Sequence, residues 1–197
     1  MIDVRLAAPR RAARVTGLIL GAALIRALLL PAGDAFSTIV FAGCLLGITW
    51  VERAAPSLPS PAVGGGKLAL GGRQSLVAGL MVGAILLVPV VGGPLSARPL
   101  GQFWSWAAVA ALVATLEETT IRGALYRRWA AEGGTVAAIV VGAAVFALIH
   151  LPRYGLAAMP LDAAVGLALG GLRALTGRVL PCAVAHTVAD WGAWFWA

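Results

Sequence analysis

The chain is a succession of apolar runs, each about the length a helix needs to cross a bilayer, divided by short polar breaks. A spanning helix takes about 20 mainly apolar residues, and inside lipid only a helix or a closed barrel satisfies its own backbone. Runs at about 15–31, 36–51, 75–93, 103–128, 135–151, 158–175 and 179–197 meet that description. Hydrophobic residues are 60% of the 197 residues and charged ones 12%, against about 45–50% and about 25% in soluble domains. One soluble interior cannot hold that much apolar surface, so lipid must cover part of it. The predicted fold is all-α, a polytopic transmembrane helical bundle of about seven spans within a range of about six to eight.

The first run follows Arg5, Arg10, Arg11 and Arg14, as a signal peptide would, but Arg26 interrupts it and no small-residue cleavage site follows. An uncleaved first span is the expectation. The stretch 52–74, with Pro56, Pro59, Pro61 and Gly64-Gly65-Gly66, reads as a flexible linker. Placing the N-terminus in the cytoplasm puts Arg5, Arg10, Arg11, Arg14, Arg53, Lys67, Arg73, Arg127, Arg128, Arg173 and Arg178 on that side and leaves Arg98 and Arg153 on the other. That asymmetry is what the positive-inside rule expects. It accounts for the net charge of +7 without nucleic acid, whose binding calls for a basic patch on a soluble face. Cys44 and Cys182 lie in apolar runs without metal or redox spacing and read as small core residues.

Six polar residues stand out inside the later runs: Glu117, Glu118, Arg122, His150, His186 and Asp190. An ionisable side chain at bilayer depth costs about 2.5–3.5 kcal/mol on insertion scales, so these six should face the bundle interior and one another. Glu118 and Arg122 are four apart, share a helix face and can pair. Glu117 is turned about 100° away and has no local partner. A carboxylate left without a counter-charge in a poorly solvated site suits a general base.

Register brings in the histidines. If the runs 103–128 and 135–151 form an antiparallel hairpin turning at Gly133-Gly134, Glu117 and His150 each lie 16 residues from their nearer glycine. At about 1.5 Å per residue both sit about 24 Å from the turn, at matching depth. His186 and Asp190 again share a face at four-residue spacing. His186 is only about 14 Å beyond Gly177, so the hairpin must project further toward the cytoplasm. Convergence in the cytoplasmic half is the expectation.

Glu117-Glu118-x-x-x-Arg122, Phe146-x-x-x-His150 and His186-x-x-x-Asp190, in this order, resemble the three signature motifs of the CAAX protease and bacteriocin-processing family (CPBP, or Abi) of intramembrane glutamic endopeptidases. Gly166-Leu-Ala-Leu-Gly170 through Thr176-Gly177 resembles the family's glycine-bearing segment. The resemblance covers about 103–197 and implies a peptidase core there, with 1–102 supplying N-terminal spans and the linker. It implies an endopeptidase of the cell (inner) membrane, surrounded by lipid and cutting a peptide or protein substrate near its C-terminus. That substrate would be lipidated or carry a C-terminal sorting segment, the latter if the chain resembles the myxosortase branch.

The resemblance also implies roles. Glu117 would be the general base and His150 would help hold the attacking water. His186 and residue 190 would stabilise the oxyanion, and Glu118 with Arg122 would order the site. The family often has asparagine where this chain has Asp190, and an ionised aspartate would repel an oxyanion. Asp190 is then either protonated or the group that orients His186. No cofactor is implied; zinc is the alternative, since two histidines and a carboxylate can ligate it and leave a position open. The competing class is a non-enzymatic membrane regulator or bacteriocin-immunity protein that uses the same cluster for binding.

Overall fold

The computed structural model describes residues 9–54, 70–89, 91 and 98–196. Arg5, Lys67 and the 55–69 part of the expected linker lie outside the described residues. The rest is helical: α1 (Pro9–Leu29), α2 (Asp34–Ala54), α3 (Gly72–Leu86), α4 (Phe103–Glu118), α5 (Tyr126–Tyr154), α6 (Met159–Thr176) and α7 (Leu180–Ala193). A π-helical segment, Thr119–Leu125, joins α4 to α5 without a break. Among the described residues there is no strand, so the chain is all-α as predicted.

The helix boundaries follow from local chemistry. Gly134 adopts φ +81°, ψ 178°, which reverses the chain inside α5 and which an L side chain rarely tolerates. Gly177, at φ +67°, ends α6 as a left-handed cap, its N–H donating to Arg173 O at 3.0 Å. Pro160 and Pro181 stand in the first turns of α6 and α7, where no intrahelical donor is lost.

Four helical stretches among the described residues are long and apolar enough to cross a membrane: Arg11–Ala32, Asp34–Ala54, Leu100–Tyr154 and Leu156–Thr176. The third folds back at Gly134. α3 and α7 have 15 and 14 residues, short of the about 20 that span a full hydrocarbon core. The bundle turns apolar side chains outward and polar ones inward. Leu28, Trp104 and Val136 are more than 70% exposed, whereas Glu52, Glu117, Glu118, Arg122 and Arg128 are buried. A multi-pass membrane protein is the arrangement this surface fits.

Contacts assign each helix end. At one end Glu52 at the end of α2 accepts from Arg14 of α1 (3.1 Å) and Arg128 of α5 (2.8 Å). Arg173 of α6 lies over the Tyr126 ring there, 5.0 Å from its centroid. At the other end Arg153 of α5 donates to Asp34 of α2 at 2.6 Å, and Trp191 of α7 donates to Ala107 O of α4 at 2.9 Å. Between them, small residues bring backbones close. A Cβ on Gly166 would lie 2.7 Å from Ala143 Cα of α5, and one on Gly79 would lie 2.6 Å from Pro181 O of α7. Close approach of this kind holds membrane helices together where the hydrophobic effect cannot.

Candidate active site

Two carboxylates side by side at the end of α4 face different partners. Glu118 is fully buried and its Oε1 accepts from Arg122 Nη1 at 2.9 Å. The same oxygen lies 3.1 Å from His186 Nδ1 on α7. Arg122 spends its second nitrogen on Gly166 O of α6 at 3.1 Å, and its guanidinium lies 4.7 Å from the Phe146 ring centroid of α5. One ion pair thereby joins α4, α5, α6 and α7. Breaking a buried pair from one side costs about 3–5 kcal/mol, because the other charge is left without a partner.

Glu117 points to the neighbouring groove. Its Oε2 is 3.9 Å from His150 Nε2 and 3.9 Å from His186 Nε2. The register reckoned from Gly133-Gly134 is the one the structure has, and Arg122 over Phe146 is a second rung of the same hairpin. The π segment begins one residue after Glu118. Its wider turn alters the register of everything after the two carboxylates, and such segments recur at functional sites.

The histidine partners fix which nitrogens face Glu117. His150 Nδ1 is 2.8 Å from Phe146 O, and a carbonyl can only accept, so Nδ1 carries the hydrogen. His186 Nδ1 meets the Glu118 carboxylate, which makes Nδ1 its donor as well. Both Nε2 atoms are thereby turned toward Glu117. Glu117, His150 and His186 offer three ligand atoms within 4.8 Å of one another. That space suits a water held among an acceptor and two imidazoles, or a divalent cation ligated by two nitrogens and an oxygen.

Asp190 is placed less closely than its spacing implied. Its Oδ1 is 3.7 Å from His186 Nε2, outside hydrogen-bond range, and its side chain is 36% exposed. Orientation of His186 falls to Glu118. Three neighbours escaped the sequence reading. Asp162 of α6 has a buried Oδ2 without a hydrogen-bond partner, and its charge acts on Glu117, His150 and His186. Tyr154 stacks on His150 with centroids 5.7 Å apart and planes at 13°. Arg26 of α1 is buried, its Nε has no partner, and its charge acts on Glu117. Arg26 was visible only as an interruption of an apolar run; nothing local marked the other two.

The expected convergence of the three groups is present, in the middle of the bundle. Glu117 is ten residues, about 15 Å, from Arg127 on one side and ten from Ala107 on the other, whereas His150 is three residues, about 5 Å, from Arg153.

Residues 99–192 match the family described as Type II CAAX prenyl endopeptidase Rce1-like. Neither a curated protein nor a solved structure matches the chain.

Proposed function

We propose that the chain, whose residues 99–192 form a domain of the Rce1-like type II CAAX prenyl endopeptidase family and make it a peptidase, hydrolyses a peptide bond near the C-terminus of a membrane-delivered substrate. The observation that carries this reading is Glu117 Oε2 at 3.9 Å from both His150 Nε2 and His186 Nε2. A water among these atoms gives its proton to Glu117 while its oxygen bonds to the scissile carbonyl carbon. The imidazolium form of His186 donates from Nδ1 to Glu118 and from Nε2 to the oxyanion. Collapse breaks the C–N bond, and the proton on Glu117 passes to the departing amine. His150 positions the water. Glu118 and Arg122 hold His186 and the backbone around it, and Asp190 lines the approach.

The peptidase core occupies 103–197, and 1–102 supplies accessory spans. The N-terminus is cytoplasmic in a cell membrane crossed about seven times, with α3 and α7 as its shorter members. The arginine asymmetry supports that orientation. Family membership favours catalysis over a purely binding role.

A second reading rests on the same three side chains, because Glu117, His150 and His186 would hold a zinc ion, which would supply a polarised water. Their second nitrogens are already held by Glu118 and by Phe146 O, as zinc ligands commonly are. Elemental analysis of active, chelator-treated protein separates the two readings. Stoichiometric zinc lost together with activity would favour the metal.

The substrate can be sought without guessing it. Mass spectrometry of C-terminal peptides from cells making the wild type or Glu117→Gln should find new C-termini only with the wild type. Identical C-termini in both would contradict the proposal.

A further inference from the structure

Among the described residues three arginines are buried: Arg26, Arg122 and Arg128. Two have a carboxylate of their own, Glu118 at 2.9 Å from Arg122 and Glu52 at 2.7 Å from Arg128. No described carboxylate lies within ion-pair distance of Arg26. Arg26 is 6% exposed, its Nε lacks a hydrogen-bond partner, and its Nη2 reaches Thr38 Oγ1 only at 3.5 Å, a weak contact at best. The guanidinium otherwise lies against an apolar ring, 4.9 Å from the Phe41 centroid. Arginine keeps its charge in proteins, and a buried charge in a membrane bundle is costly unless it is paired.

Position puts this cation beside the catalytic groove. Ala12, Val15, Ile19, Ala22 and Ala23 form the buried stripe of α1, and Arg26 continues it at the same three- and four-residue steps. Two contacts set its depth. Thr16 Oγ1 accepts from Trp129 Nε1 at 3.0 Å. Arg26 is ten residues beyond Thr16, about 15 Å, and Glu117 is twelve residues back from Trp129, about 18 Å. Thr120 Oγ1 lies 3.4 Å from Leu45 O, and Phe41 and Glu117 are each about one turn from that contact toward the Asp34–Arg153 end. Both contacts place Arg26 level with Glu117. Its charge acts on Glu117 and on Tyr154, the exposed ring stacked on His150.

We infer that Arg26 binds a carboxylate of the substrate and so fixes the scissile bond over Glu117. This rests on the peptidase reading for the identity of the ligand, not for the presence of the site. A guanidinium offers paired donors that match a carboxylate in two parallel bonds, and the uncommitted Nε supplies one of them. The carboxylate is the substrate's C-terminus or an acidic side chain close to the scissile bond. Arg26 lies outside residues 99–192, so α1 adds specificity to a domain that carries the chemistry.

Short peptides bound to the full chain in nanodiscs test the site without turnover. The probes are an acetylated Ala-Leu-Leu peptide as the free acid, the same peptide as its C-terminal amide, and the amide of acetylated Asp-Leu-Leu. Wild type should bind at least one acid-bearing probe about 10–100-fold more tightly than the neutral amide, the worth of a hydrogen bond to a charged group. A preference for the free acid identifies a terminal carboxylate, and one for the aspartyl amide a side chain. Arg26→Gln should abolish the preference and leave binding of the neutral amide unchanged. If Arg26→Gln does not accumulate, Arg26→Lys decides, because it keeps the charge without the paired donors and should weaken the preference about 10-fold. Equal binding of acid and amide by wild type, no detectable binding of either acid, or a preference unchanged in the variants would overturn the inference. A wild type that cleaves its native substrate yet binds acid and amide alike would refute this site and leave the peptidase reading standing.

Discussion

Glu118 Oε1 lies 3.1 Å from His186 Nδ1, so a carboxylate on α4 fixes the ring of a histidine 68 residues later in the chain. The same oxygen is 2.9 Å from Arg122 Nη1. The carboxylate next to it, Glu117, is left to face the groove. Two adjacent glutamates thereby take separate tasks, one positional and one chemical.

Glu118→Gln keeps an acceptor but removes the charge, and should lower turnover by about 10–100-fold, as loss of an orienting partner does. Glu118→Ala leaves Arg122 buried without its carboxylate and should also cost about 3–5 kcal/mol of stability. Thermal unfolding in detergent beside single-turnover assays separates the two effects. Equal loss of stability in both variants would contradict the division of roles.

Asp190→Asn should be tolerated, with turnover within about 10-fold of wild type, because His186 takes its orientation from Glu118 and Asp190 Oδ1 is 3.7 Å away. Steady-state assays of this variant beside Glu118→Gln decide the matter. A larger loss at Asp190 than at Glu118 would make Asp190 the orienting group.

Much of this was legible in the sequence because helices convert spacing into position. Glu118 and Arg122 pair at i,i+4, and Glu117 meets His150 because both are equally far from the glycines that turn the hairpin. The contact between His186 and Glu118 was not legible, since it depends on how α7 docks against α4. Nor was the π segment at Thr119–Leu125, which has no glycine or proline to announce its start. Asp162 and Tyr154 sit near helix ends, where polar residues are ordinary, and only packing brings them to the site. Relative depth was not legible for a related reason: counting from turns locates residues within a hairpin but says nothing of how far one hairpin slides past another.

Gly166→Ala should destabilise the protein by about 1–3 kcal/mol, as overpacking does. Its Cβ would stand 2.7 Å from Ala143 Cα, so α6 must move away from α5. That movement also withdraws the carbonyl to which Arg122 Nη2 donates. A thermal midpoint equal to wild type would show that α6 yields freely.

Glu52→Ala tests whether stability and chemistry separate. Glu52 holds Arg14 and the buried Arg128 at the end away from the site, so the variant leaves Arg128 unpaired and should lose about 3–5 kcal/mol while folded molecules keep their turnover. Turnover normalised to folded fraction checks this. A fall in normalised turnover would tie the arginine-rich end to catalysis.

The central claim is that Glu117 activates a water held with His150 and His186. Its most direct test is single-turnover cleavage of a native substrate in bilayers by wild type, Glu117→Gln and His150→Ala, each shown to be folded. The account predicts that each variant loses about 100–10,000-fold in rate, the contribution of a positioned acid–base group, while its thermal midpoint stays near that of wild type. Wild-type cleavage by folded Glu117→Gln would contradict it.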